Sequence, residues 1–120
     1  MWNGIDRRKF PRIRHKCIIK ITRAESSKTI ATYTENIGVG GICVILKDDL
    51  GLFQGVNLEL DLENGSTKQL KCSGTVVWVV KKHDVVDKKK PLYDIGIEFV
   101  DLDDEGRERL FKIIEKQLQG

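Results

Sequence analysis

Apolar and polar residues alternate along most of this chain, the period of strands with one buried face. In Val56–Leu62, Val56, Leu58, Leu60 and Leu62 share one face, and Asn57, Glu59 and Asp61 the other. Leu70–Val80 repeats the pattern with Leu70, Cys72, Gly74, Val76, Trp78 and Val80 on one face, and Gly74 suggests a bend or bulge there. Tyr93–Phe99 aligns Tyr93, Ile95, Ile97 and Phe99. Cys17–Thr22 and Thr29–Thr34 are shorter runs rich in β-branched residues, and Gly41–Leu46 is almost continuously apolar, as in a strand buried on both faces. Asn64-Gly65 predicts a tight hairpin, and His83–Lys90 an exposed hairpin loop.

The period changes near the C-terminus. Leu110, Ile113, Ile114 and Leu118 form a helical stripe with Phe111 at its edge. Asp103 is placed to cap this helix, and Asp104 and Glu105 suit the positive end of its dipole. Six short strands and one terminal helix predict an all-β protein: a closed or split six-stranded antiparallel β-barrel with a C-terminal α-helix over an end or edge.

A length of 120 residues suits one core and leaves no room for a second domain of ordinary size. The net charge of +3 understates a local asymmetry. Arg7, Arg8, Lys9, Arg12, Arg14, Lys16 and Lys20 crowd the first twenty residues, opposed by Asp6 alone, whereas the stretch from Asp101 is acidic. The chain therefore divides into a flexible basic arm over 1–16 and a barrel with its helix over 17–120, and the arm points to an anionic partner. No apolar run reaches the ~20 residues of a membrane-spanning helix, and no secretory signal opens the chain. Cys17, Cys43 and Cys72 are far apart among apolar residues and read as buried thiols in a reducing cytoplasm. The two histidines, His15 and His83, assemble with no serine, acid or metal-ligand set by spacing, so neither a catalytic nor a metal site is expected, and no cofactor. Asp84, Asp94 and Glu98 could meet in space, but acids near strand ends are common on barrels.

Two motifs remain. In Arg7-Arg8-Lys9-Phe10-Pro11-Arg12, the proline favours an extended segment from which Arg8 and Arg12 could reach one ligand. Guanidinium forks pair bidentately with phosphate or with a guanine edge. In Asn36-Ile37-Gly38-Val39-Gly40-Gly41, three glycines allow positive φ and close approach of a ligand, and Asn36 adds a donor and an acceptor. Each motif alone fits a solvated tail or a plain turn. A dinucleotide-binding fingerprint is excluded, because a strand and not a helix follows the glycines.

In this order, and on this strand pattern, the motifs resemble those of the PilZ domain family, RxxxR at Arg8 and Arg12 and [D/N]xSxxG at Asn36, Gly38 and Gly41. Gly74-Thr75-Val76-Val77-Trp78 and Asp94-Ile95-Gly96-Ile97-Glu98-Phe99 extend the likeness, which runs from about Arg7 to about Leu118. The resemblance implies a cytoplasmic bacterial receptor for cyclic di-GMP whose arm wraps over the ligand and which signals to a protein effector in motility, biofilm or exopolysaccharide control. It implies ligand contacts from Arg7, Arg8, Arg12, Asn36, Gly38, Gly40 and Gly41, and from Trp78, whose ring either stacks on a guanine or packs in the core. Gly38 departs from the pattern, since the family has serine there. Two alternatives stay open: an adaptor that no longer binds the nucleotide, and a small-barrel nucleic-acid binder, against which the 7% aromatic content counts. One bound ligand or an intercalated pair, and a monomer or a weak homodimer, are equally compatible with the sequence.

Overall fold

The alternating runs do become strands, and a seventh, very short strand precedes them. The computed structural model describes residues 12–26, 28–62, 69–83 and 90–119. In chain order the elements are β1 (Arg12–Ile13), β2 (Ile18–Arg23), β3 (Thr29–Gly38), β4 (Gly41–Leu46), β5 (Gly55–Asp61), β6 (Leu70–His83), β7 (Pro91–Phe99) and helix α1 (Asp104–Gln119). Strands β2 to β7 are the six expected. All pairings are antiparallel, in the order β3-β2-β5-β6-β7-β4, and β3 pairs with β4 to close the barrel. Strand β1 pairs with the Ile37–Gly38 end of β3.

Alternation decides what fills the barrel. Ile19 and Ile21 of β2, Leu58 and Leu60 of β5, and Ile95 and Ile97 of β7 are fully buried, each two residues from the next. Burying one such side chain contributes ~1.5–3 kcal/mol, and these rows lie within one continuous buried cluster. Leu110 and Ile114 of α1 join the same cluster, and the helix packs against β1. The expected cap is present: Asp103 Oδ1 accepts the Gly106 amide at 2.7 Å.

The segment between β1 and β2 is stapled by one buried hydroxyl. Thr34 is fully buried on β3; its Oγ1 donates to the His15 carbonyl at 2.6 Å and accepts the Cys17 amide at 3.1 Å. His15 in turn donates its Nε2 proton to the Leu62 carbonyl at 2.9 Å. Ile13 lies in the core, so the chain is held to the barrel from residue 12 onward. Residues 1–11, with Arg7 and Arg8 and the first part of the basic arm, lie outside the described residues, as do Asn64-Gly65 and most of the His83–Lys90 loop.

All three cysteines are free and buried. Burial, followed by the carboxylates of Asp101 and Asp103, pushes the Cys72 thiol up to about 12. A thiol raised in the folded state contributes stability that is complete below its ordinary value near 9 and is lost as pH rises toward 12. Urea denaturation across that range should show a steeper alkaline loss of stability in the wild type than in Cys72→Ala. Removing the staple with Thr34→Val leaves the Cys17 amide and the His15 carbonyl without their shared partner. We expect a loss of ~1–3 kcal/mol in the same urea measurement.

Candidate ligand-binding site

The two ends of the site are set by two β-bulges, each of which turns an outward position to where an alternating strand would not have put it. On β3, register shifts between Thr34 and Asn36. Thr34 and Ile37 are therefore both buried although they are three apart, while Asn36 sits at the surface between them. On β6, register shifts between Val76 and Trp78. Leu70, Cys72, Gly74 and Val76 face inward as expected, but the extra residue, Val77, reverses the phase. Trp78 and Val80 consequently face outward, 37% and 50% exposed, and Val79 packs toward the core instead. The single face expected for Leu70 to Val80 is thus corrected, and the bulge falls three residues beyond the glycine that hinted at it.

Both ends lie in one cross-strand row. Asn36 is opposite Cys43, Cys43 opposite Gly96, and Gly96 opposite Trp78. Three strand spacings separate Asn36 from Trp78, ~14 Å across the barrel surface. The floor of this row is low. Gly96 has no side chain, and a Cβ there would run into the Trp78 ring, so the indole lies directly on the β7 backbone. At the other end Asn36 Oδ1 is buried and has no hydrogen-bond partner among the described residues. A buried amide oxygen without a donor is costly, by about 1–3 kcal/mol, and is suited to receive one from a ligand.

Asp94, two residues before Gly96 on β7, ties the floor together. Its carboxylate accepts the Cys43 thiol at 2.9 Å and pairs with Lys82 Nζ at 3.2 Å, and the Trp78 side chain donates to it as well. Burial would raise this carboxyl, but the hydrogen bonds from Cys43, Lys82 and Trp78 and the Lys82 charge outweigh it and hold Asp94 below its ordinary value. Asp94, Cys43 and Gly96 were not assigned to the site from the sequence. The pattern of β7 carried no signal for them, because their role depends on which residues of β4 and β6 lie alongside.

The glycine turn differs in detail from its expectation. Among the described glycines only Gly51 has a positive φ, of 91°, so Gly38, Gly40 and Gly41 do not use left-handed backbone. The reason is the hairpin itself: Ile37 pairs with Ile42, and the Gly40 carbonyl accepts the Phe99 amide at 2.9 Å, which holds the turn against the end of β7. Gly41 is required by close packing, since a Cβ would strike the Ile97 carbonyl oxygen, whereas Gly40 is exposed and a Cβ there meets nothing within 4 Å. Gly40 therefore leaves open surface above the turn.

Of the three arginines singled out, Arg7 and Arg8 lie outside the described residues. Arg12 is in β1, and its Cα partner is Gly38. The end of the first motif and the middle of the second are thus neighbours across a strand pair, two residues along β3 from Asn36. A surface with an arginine paired to a glycine turn, an amide oxygen without a donor among the described residues and a flat aromatic ring can hold an anionic, planar ligand. Among the described residues no group of three or more His, Cys, Asp or Glu is placed to hold a metal ion.

Comparison with known proteins agrees with this geometry. The family model described as PilZ domain matches residues 6–116. No curated protein matches the chain. Solved structures with the same fold include the Bacillus subtilis inhibitor of motility MotI/DgrA, with 24% identity and a TM-score of 0.71 over 93% of this chain and 52% of that one. Another is MrkH of K. pneumonia in complex with c-di-GMP, with 17% identity and a TM-score of 0.74 over 93% of this chain and 52% of that one. A third is the PilZ domain of YcgR from Escherichia coli with c-di-GMP, with 16% identity and a TM-score of 0.71 over 92% of this chain and 90% of that domain. The chain spans about half the length of the first two proteins and nearly all of the isolated domain.

The floor makes a direct prediction. Gly96→Ala forces the indole off the β7 backbone. Measured in a Trp2→Phe background, Trp78 emission should shift to longer wavelength with the barrel still folded by circular dichroism. An unchanged spectrum would mean that the ring does not rest where the structure has it.

Proposed function

The chain belongs to the PilZ domain family, and from that premise we propose that it is a cytoplasmic receptor for cyclic di-GMP and not an enzyme. The observation that carries this reading is the pairing of Arg12 with Gly38, beside the unsatisfied Asn36 oxygen. It brings the root of the arginine motif to the glycine turn. Similar folds that carry c-di-GMP in MrkH and YcgR support the choice of ligand.

In this proposal Arg8 and Arg12 pair with the ligand phosphates and guanine edges, and Arg7 assists. Asn36 Oδ1 accepts a guanine N–H, which satisfies an acceptor that has no partner among the described residues. Gly38, Gly40 and Gly41 let the ligand approach the backbone. Trp78 stacks on a base, a contact worth ~1–3 kcal/mol. The part of the 1–16 arm that precedes Arg12 orders as it closes on the ligand, and the surface so formed is read by a protein effector, in a pathway such as motility or biofilm control. No helix among the described residues is long and apolar enough to cross a membrane.

Gly38 stands where the family pattern has serine, so one hydroxyl contact is absent. At ~0.5–1.5 kcal/mol for a net hydrogen bond, affinity falls by several-fold to about tenfold relative to a serine-bearing site. Gly38→Ser should recover that factor. Glycine in place of the family serine is also the observation behind a second reading, an adaptor that has lost the nucleotide.

Calorimetry with cyclic di-GMP separates the two. The wild type should bind, with GTP and cyclic di-AMP as silent controls, and Arg8→Ala and Arg12→Ala should each weaken binding roughly ten- to a hundredfold, as expected for charge-assisted contacts. Affinity should fall only shallowly with salt, in contrast to an oligonucleotide binder. No heat from the wild type would leave the adaptor reading.

A further inference from the structure

The ring of Trp78 is more than a third exposed, yet it lies flat on a strand backbone, and that combination needs an explanation. An exposed aromatic side chain on an outward strand position ordinarily samples several rotamers. Gly96 creates the space for the flat orientation but does not enforce it, because open space favours no single rotamer. A polar handle does. Tryptophan carries one N–H donor, and fixing that donor fixes the ring.

We propose that Asp94 is a positioning residue for ligand binding, clamping the Trp78 indole flat over Gly96 so that its outer face is presented ready for stacking. This rests on the receptor reading above for what stacks there. The clamp itself is a matter of geometry. Gly96 is the Cα partner of Trp78, and Asp94 is the partner of Val80, one outward position further along the same pair of strands. An indole lying across β7 at Gly96 can therefore direct its N–H along the strand to Asp94, to which the Trp78 side chain donates.

Asp94 is itself held from two sides. Cys43 reaches it from β4 at 2.9 Å, and Lys82 from β6 at 3.2 Å. A carboxylate has about four acceptor positions, so three donors can be accommodated together. The carboxylate is thus a fixed point spanning three strands, and Cys43, a buried thiol, sits beneath the ligand surface as part of that support. A ring immobilised before the ligand arrives spares the ordering cost of a rotamer-rich side chain, equivalent to roughly two- to tenfold in affinity.

The test uses the full chain with Trp2→Phe, so that Trp78 is the single tryptophan. In the free wild-type background, the indole N–H resonance of Trp78 should exchange slowly with solvent, and fluorescence anisotropy should report a fixed ring. Asp94→Ala should lower that anisotropy and weaken cyclic di-GMP binding roughly two- to tenfold, while Asp94→Asn, which keeps an oxygen acceptor, should stay near wild type. In a Trp78→Leu background, Asp94→Ala should cost no further affinity. A fast-exchanging indole N–H, an unchanged anisotropy in Asp94→Ala, or an equal loss of affinity in both backgrounds would overturn the proposal. If the protein takes up no cyclic di-GMP, the receptor reading fails, and the exchange and anisotropy results on the free protein still decide the clamp.

Discussion

A two-residue strand sets the geometry of everything around the site. Pairing Arg12 with Gly38 and Ile13 with Ile37 brings the root of a basic segment against the hairpin that carries Asn36. Two hydrogen-bonded residues are too few to hold by themselves. They persist because Ile13 is inserted in the core, because α1 packs against β1, and because the following residues are fastened to Thr34 and to the Leu62 carbonyl. A buried threonine, a helix and an isoleucine thus jointly fix where an arginine begins. The arrangement couples barrel stability to site geometry, since loosening the Thr34 staple would loosen the position of Arg12 as well.

The other half of the surface depends on irregularity. A barrel of perfectly alternating strands would place each outward residue above an inward neighbour and leave no flat row. The bulges near Glu35 and Val77 break the alternation at opposite ends of the same row, leaving Asn36 half-buried and Trp78 exposed while the inward packing of Thr34, Ile37 and Val76 is kept. Between them, Gly96 removes a side chain and Asp94 supplies hydrogen-bond acceptors, so the surface is low and rigid where a planar ligand would rest. A functional role for such bulges agrees with their usual place next to binding sites.

The fold was legible because its signal is repeated. Period-two alternation in β5, β7 and β6 as far as Val76, the change to helical spacing at Leu110, and the capping aspartate at 103 each reflect local rules that tertiary packing reinforced. The strand ends were less legible: β3 runs to Gly38 and β6 to His83, beyond Thr34 and Val80, because hydrogen bonding to neighbouring strands continues where the apolar pattern stops. The site was legible in part. Asn36, Gly41 and Trp78 stand out by residue type and setting, whereas Cys43 and Asp94 look like an ordinary buried thiol and an ordinary strand acid.

Sequence alone determined which residues face inward over most of the barrel, that a helix ends the chain, and that arginines and a glycine turn are the unusual chemistry. Those follow from side-chain type and spacing, properties that each segment carries with it. Tertiary structure alone decided that Arg12 faces Gly38, that Trp78 turns outward, and that Asp94 joins Cys43, Lys82 and Trp78. Register and bulge position are settled by how whole strands satisfy their hydrogen bonds against one another, and a single strand's sequence does not contain its neighbour's register.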